Sequence, residues 1–311
     1  MGKASRTKQN ASRRERIAAQ RAADRRREVR NRILIASGAV VVVIAVVVVF
    51  VVVKATGGNS SKPAGANGPT GSALAAVVRD TTTVPASTLK SVGSGSVTTP
   101  PSAVTNGTPL TSGGKPEMLY VGAEYCPYCA FERWGMVVAL SRFGTFKNLS
   151  TTHSSSTDAF PNTSTWTFYK STYTSKYLAF SSVEETTNVA DSSSSSGYTP
   201  LQSPTAAQEA LLKKYDAPPY VSSADAGAIP FVYLGGHYVI NGASSTPQVL
   251  QGLTWSQIAS SLKAGTSAPA KAILGTANYI TAGICKMTGN QPANVCTSTI
   301  TGLQARMKAP S

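Results

Sequence analysis

The chain has 311 residues and carries 29 Lys and Arg against 14 Asp and Glu, a formal net charge of +15. Residues 1–32 hold 12 of those cations against only Glu15, Asp24 and Glu28, so the extreme basicity belongs to a tail rather than to the folded part. No phosphate loop, HExxH, GxSxG or paired-carboxylate constellation occurs, which leaves hydrolase and nucleotide-driven readings without support.

Directly after this tail, Ile33 to Val53 forms 21 residues without a charge. As a helix it would span roughly 30 Å, the thickness of a bilayer core. The run is rich in valine, a poor helix former in water, but lipid obliges the backbone to satisfy itself internally. Twelve cations before the span and Lys54 just after it orient the tail toward the cytoplasm. A cleaved signal peptide would have a shorter charged region and an apolar stretch of only about 7 to 15 residues. The expectation is therefore a plasma-membrane protein crossing once, with residues 1–32 cytoplasmic, 33–53 in lipid and the C-terminal part outside. The tail lacks interleaved aromatics, so anionic lipid is its expected partner and nucleic acid is not.

Residues 54–83 are rich in Gly, Ser, Pro, Ala and Thr and read as a flexible linker. A folded domain is then expected over 84–311. Its first part is turn-rich, with Leu89 to Val97 reading as an early edge strand. Met118-Leu119-Tyr120-Val121 reads as a buried strand, and it leads into Cys126-Pro127-Tyr128-Cys129.

Pro127 suits the first helical position, and Phe131, Trp134 and Val138 recur on one face of the helix that follows, with Arg142 in the last turn and Gly144 as a stop. Cys126 would then lie at a helix N-terminus, where free N–H groups and the dipole favour a thiolate. In that reading Cys126 attacks and Cys129 resolves the mixed disulfide. A structural zinc site would need two further ligands, and the chain offers only His153, His237 and the distant Cys285 and Cys296. A permanently closed CxxC disulfide is the other alternative. Tyr125 and Tyr128 would line an apolar rim suited to an unfolded chain, or serve as packing.

Thr165 to Tyr169 and Tyr177 to Phe180 read as short strands, Asp191 to Gly197 as a serine-rich loop, and Thr205 to Gln208 as a capping box for a helix ending near Tyr215. Ile229-Pro230 precedes a β-hairpin with a Gly235-Gly236 turn. The proline could be an ordinary strand start; a cis Ile229–Pro230 bond beside the cysteines is the sharper reading.

An apolar strand leading into CxxC at a helix tip, with an Ile-Pro loop opening a hairpin, resembles the thioredoxin-like superfamily. The 103 residues separating Cys126 from Pro230 resemble the DsbA group, in which extra structure is inserted between the two halves. More closely, the runs Lys115 to Ala130, Arg133-Trp134, Phe168 to Lys170, Tyr173 to Tyr177 and Ile229 to Phe231 resemble domain-of-unknown-function family 929, over about Thr88 to Met307. The resemblance implies an α/β thioredoxin-like domain with an insertion between the CxxC helix and the cis-Pro hairpin. It implies Cys126 as nucleophile, Cys129 as resolving thiol and Ile229-Pro230 as a substrate-binding loop. One departure stands out: those relatives place a buried acid six residues before the first cysteine, and Tyr120 occupies that position here. Either Glu124 or Glu132 would substitute, or the proton would pass to water.

Thr254 to Gln257 caps a further helix, and another from about Pro269 carries Ile273, Ala277, Ile280 and Ile284 on one face. It delivers Cys285, for which Cys296 is the simplest partner in an oxidising compartment, as a structural disulfide or as a relay to the CxxC pair. The expected function is a membrane-anchored, extracytoplasmic thiol-disulfide oxidoreductase or isomerase acting on exported proteins, needing no cofactor, with a membrane redox partner as a further candidate. The alternative is a non-catalytic module that holds a partner strand in the Pro230 groove.

Overall fold

The computed structural model describes residues 68–310. The basic tail, the apolar segment 33–53 and residues 54–67 of the expected linker lie outside the described residues. Among the described residues no helix is long and apolar enough to cross a membrane.

Two expectations for the N-terminal part are corrected. Gly71–Thr82 is a helix, α1, although it was expected as the end of a linker. Its small-residue composition conceals Leu74, Val77, Val78 and Thr81 at helical spacing, and this stripe packs onto the domain with Val77 and Thr81 buried. Ala86–Val92 is also a helix, α2, where an edge strand was expected. Leu89 is its buried anchor, and Gly93 at φ +58° ends it.

Next come β1 (Ser102–Ala103), β2 (Thr111–Ser112), β3 (Lys115–Gly122) and α3 (Pro127–Leu140). Gly144, expected to stop α3, instead opens a strand, because the helix already closes at Ser141. The insertion after α3 consists of β4 (Gly144–Lys147) paired with β7 (Thr172–Ser175), and β5 (Ser150–His153) paired with β6 (Ser164–Thr167). After these follow β8 (Ala179–Glu184), the hairpin of β9 (Thr186–Ala190) with β10 (Tyr198–Pro200), and α4 (Ala206–Tyr215). The capping box at Thr205 and Gln208 is present as expected. The Gly-Gly hairpin follows as β11 (Phe231–Leu234) and β12 (Tyr238–Asn241), and the chain ends in α5 (Trp255–Leu262), α6 (Ala268–Met287) and α7 (Ser298–Thr301).

The main sheet is mixed. β8 runs parallel to β3, whereas β3–β11, β11–β12 and β12–β1 are antiparallel. Side-chain alternation divides the apolar core into two layers. Met118, Tyr120, Val232, Leu234 and Ile240 join α3 and α6 on one face, while Leu119, Val121, Val183, Phe231, Tyr233 and Val239 join Leu211 and Tyr215 of α4 on the other. Both faces are covered, which is why these strands read as continuous apolar runs.

Helix α3 is buried nearly all round, with Tyr128 its one exposed residue. It lies against α6 at Gly135, where an added β-carbon would collide with the Thr276 side chain. At the C-terminal end of α6, Cys285 is disulfide-bonded to Cys296, tying that helix to the segment before α7.

Candidate functional site

Strand β3 ends at Gly122, and a short turn delivers Cys126 as the N-cap of α3 with Pro127 in the first turn. Proline loses nothing there, since its missing N–H would have no helical partner. The Cys129 backbone N–H donates to Cys126 Sγ at 3.3 Å, as a cap side chain requires. Both cysteines are free thiols.

The two thiols have opposite acidities. Cys126 is held below the usual thiol value, first by the hydrogen bond from the Cys129 side chain, against the opposing effect of burial, with help from the Cys129 N–H and the Arg133 charge. Cys129 is pushed well up, first by burial and then by donating to Cys126. The arrangement therefore makes Cys126 the sulfur that ionises and Cys129 the one that keeps its proton.

The Ile229–Pro230 peptide is cis, and its loop comes directly to the redox turn. The Cys126 thiol donates to the Ile229 carbonyl at 3.6 Å. Cys126 is only 4% exposed, less than expected for an attacking sulfur, because it sits beneath this loop.

Tyr125 stacks on Tyr198 with ring centroids 4.2 Å apart, and Tyr198 Oη hydrogen-bonds Ser155 Oγ. Burial, followed by the nearby cysteines, pushes the Tyr125 phenol up to about 12. Tyr128 is 43% exposed and meets Phe160 edge-on at 5.9 Å. The rim residues expected from the motif are thus assembled with Phe160 and Tyr198, which come from outside it.

Glu132 and Glu124, the two acids expected as substitutes for a buried acid, are engaged elsewhere. Glu132 is fully buried, but its carboxylate accepts from Ser244 N and Oγ at 2.9 and 3.0 Å and is committed there. Glu124 anchors the turn through its backbone, donating to the Thr186 carbonyl at 3.0 Å, and stays partly exposed. Beneath the cysteines lie instead Tyr120, Arg133 and Glu184. Arg133 Nε and Nη2 donate to the two Glu184 oxygens at 2.9 and 2.6 Å, and both residues are fully buried. Nη2 also reaches the Ala123 carbonyl at 2.7 Å. Glu184 accepts in addition from the Phe168 N–H at 3.2 Å and from Tyr120 Oη at 3.4 Å.

A β-carbon on Gly122 would collide with Tyr120 Oη and lie 3.0 Å from Cys129 Sγ, so only glycine leaves room for both groups. Arg133 and Glu184 went unrecognised as site residues. The available signal was Arg133 itself, a charge four residues after Cys129 on a helix otherwise bound for the core.

Burial pushes the Glu132 carboxyl up to about 7, with the Ser244 bonds opposing. An acid whose folded value is raised contributes its full stability below the unfolded value and loses it as pH climbs to the folded one. Stability is thus expected to fall by about 3 kcal/mol between roughly pH 4 and pH 8 from this group alone. Glu132→Gln should flatten that slope, as read by denaturant unfolding at several pH values.

These features define a mixed α/β protein with a helix-capping CxxC pair facing a cis-proline loop. Residues 102–286 match the family described as Domain of unknown function (DUF929), and the chain belongs to that family. The match takes in the main sheet, the cysteine turn, Arg133, Glu184 and nearly all of α6; α1 and α2 precede it. No curated protein and no solved structure matches the chain.

Proposed function

We propose that the chain is a thioredoxin-like thiol-disulfide oxidoreductase, anchored through residues 33–53 and acting on exported proteins outside the plasma membrane. The observation that carries the reading is Cys126 Sγ at the helix N-cap, 3.3 Å from the Cys129 N–H and 3.6 Å from the Ile229 carbonyl. A helix tip and a nearby cation lower the pKa of a thiol, and the cysteine so tuned is the nucleophile in disulfide exchange. The strand order β8-β3-β11-β12, with β8 parallel and the hairpin antiparallel to β3, supports the thioredoxin-like reading. The long insertion supports a DsbA-like size.

In the proposed reaction the Cys126 thiolate attacks one sulfur of a protein disulfide and releases the other as a thiolate. Cys129 loses its proton and attacks Cys126, and the second substrate sulfur departs with that proton as a thiol. The cysteine pair is oxidised by two electrons and the substrate disulfide is reduced by two; the reverse transfer runs through the same intermediate.

The low exposure of Cys126 favours a second reading, a binding module in which the Pro230 groove holds a partner strand. Alkylation of the chain across a glutathione redox series separates the two. An oxidoreductase should titrate as a two-electron couple between roughly -270 mV, a reductase's value, and roughly -120 mV, an oxidase's. A pair that stays closed under strong reductant, or a Cys126 that titrates no lower than about 8.5, would leave the binding module standing.

A further inference from the structure

The Arg133–Glu184 pair poses a question that packing alone does not answer. Burying two charges costs more than burying two apolar groups of similar volume, so such a pair stabilises a fold poorly. Its placement is specific to the cysteines. Cys129 and Arg133 are one helical turn apart on the same face of α3, and helical side chains lean toward the N-terminus, so the Arg133 charge lies on the Cys129 side and acts on that sulfur. Both groups converge on one short stretch of backbone: Cys129 Sγ fills the space left by Gly122, and Arg133 Nη2 donates to the Ala123 carbonyl. Glu184 clamps Nε and Nη2, while Nη1, fully buried, has no partner among the described residues.

We propose that Arg133 is a positioning residue whose unpaired Nη1 is held in reserve for the negative charge that arises on Cys129 during resolution. This rests on the redox reading above. While the substrate is joined to Cys126, the Cys129 thiol must ionise inside the protein before it can attack. The proton leaves with the substrate thiol and the electron pair goes into the new Cys126–Cys129 bond, so the anion on Cys129 is transient. A fixed cation one turn away compensates it without having to move.

The other groups facing this spot fit the assignment. Tyr120, from β3, is pushed well up by burial and stays a neutral phenol. Glu184, from β8, is satisfied by Arg133, Phe168 and Tyr120. Glu124 bears on Glu184, and Tyr125 faces the cysteines as a neutral phenol. Arg133 is the cation that acts on both sulfurs.

The test uses the full-length chain carrying Cys126→Ser, which leaves Cys129 as the single free thiol. Its ionisation is followed by thiolate absorbance with the pair intact and with Arg133→Met/Glu184→Met, an apolar replacement that strands no charge. The Cys129 titration should move up by about one pH unit or more in the double variant. In chains retaining both thiols, resolution of a preformed mixed disulfide should slow about tenfold near neutral pH. An unchanged titration in a folded double variant overturns the proposal.

Should that variant fail to fold, Glu184→Gln keeps the cation and removes its counter-charge. Cys129 should then titrate lower than in the parent, and an upward shift overturns the proposal. The titration needs no substrate, so a parent chain that exchanges no disulfides sinks the redox reading while the assigned effect of Arg133 on Cys129 is still decided.

Discussion

A chain carrying Cys129→Ser, offered a disulfide-containing protein, should accumulate a covalent adduct through Cys126, whereas Cys126→Ser should form none. The reasoning starts from the split acidity of the pair. Cys126 accepts the Cys129 N–H at the tip of α3, while Cys129 is fully buried one turn further in. Of the two sulfurs only Cys126 keeps any exposure, so under the proposed reaction it is the one that meets an outside disulfide and Cys129 the one that releases it. Loss of Cys126 removes the nucleophile, so exchange should fall by about three orders of magnitude or more. The Cys129→Ser chain should still attack but stall as the adduct, read as a mass increase on non-reducing gels or by mass spectrometry. An adduct through Cys129 in the Cys126→Ser chain would reverse the assignment of roles.

Stability should fall sharply when Arg133 is replaced alone. The single change Arg133→Met removes every charged partner of the Glu184 carboxylate and leaves it with the Phe168 N–H and a long contact to Tyr120. A buried ion stripped of its partner costs about 3–5 kcal/mol. The double change Arg133→Met/Glu184→Met leaves no orphan, and its stability should fall within about 2 kcal/mol of the parent. The pH dependence of stability should also steepen in the single variant. Burial already raises the folded Glu184 value in the parent, outweighing the guanidinium; without Arg133 it rises further, so more stability is lost as pH climbs from about 4.3 toward the folded value. Unfolding by denaturant at acidic and neutral pH, on the single and double variants together, reads both effects. Equal losses in the two variants would mean that side-chain volume, not charge pairing, sets the cost.

Parts of this site can be read without a structure because their signals are local. Cysteine spacing, Pro127 and the apolar run after it depend on residues within one or two helical turns, and so do the Gly-Gly turn of the hairpin and the Thr254 capping box. The N-terminal helices were missed for the opposite reason. In Gly71–Thr82 and Ala86–Val92 small and polar residues dominate the composition, and the few apolar positions matter only because α5 and α6 lie beneath them.

The buried acid marks the boundary most clearly. Tyr120 stands where the resemblance expects an acid, and the acids near it in the chain are Glu124 and Glu132. The carboxylate buried against Tyr120 and Arg133 is instead Glu184, 51 residues from Arg133. It arrives there because β8 pairs in parallel with β3 and sets Glu184 opposite Gly122. A slip of one residue in that register would turn the side chain to the other face of the sheet.

Local chemistry along the chain was enough to place two cysteines at a helix tip, to name the strand and helix that present them, and to show that the Ile229–Pro230 loop opens a hairpin. Tertiary structure alone decided which charges stand behind the sulfurs, how deeply Cys126 lies beneath that loop, and that Phe160 and Tyr198 complete its rim. The physical reason is that capping, turn geometry and periodicity act over a few residues, whereas strand register and burial come from contacts between segments far apart in the chain.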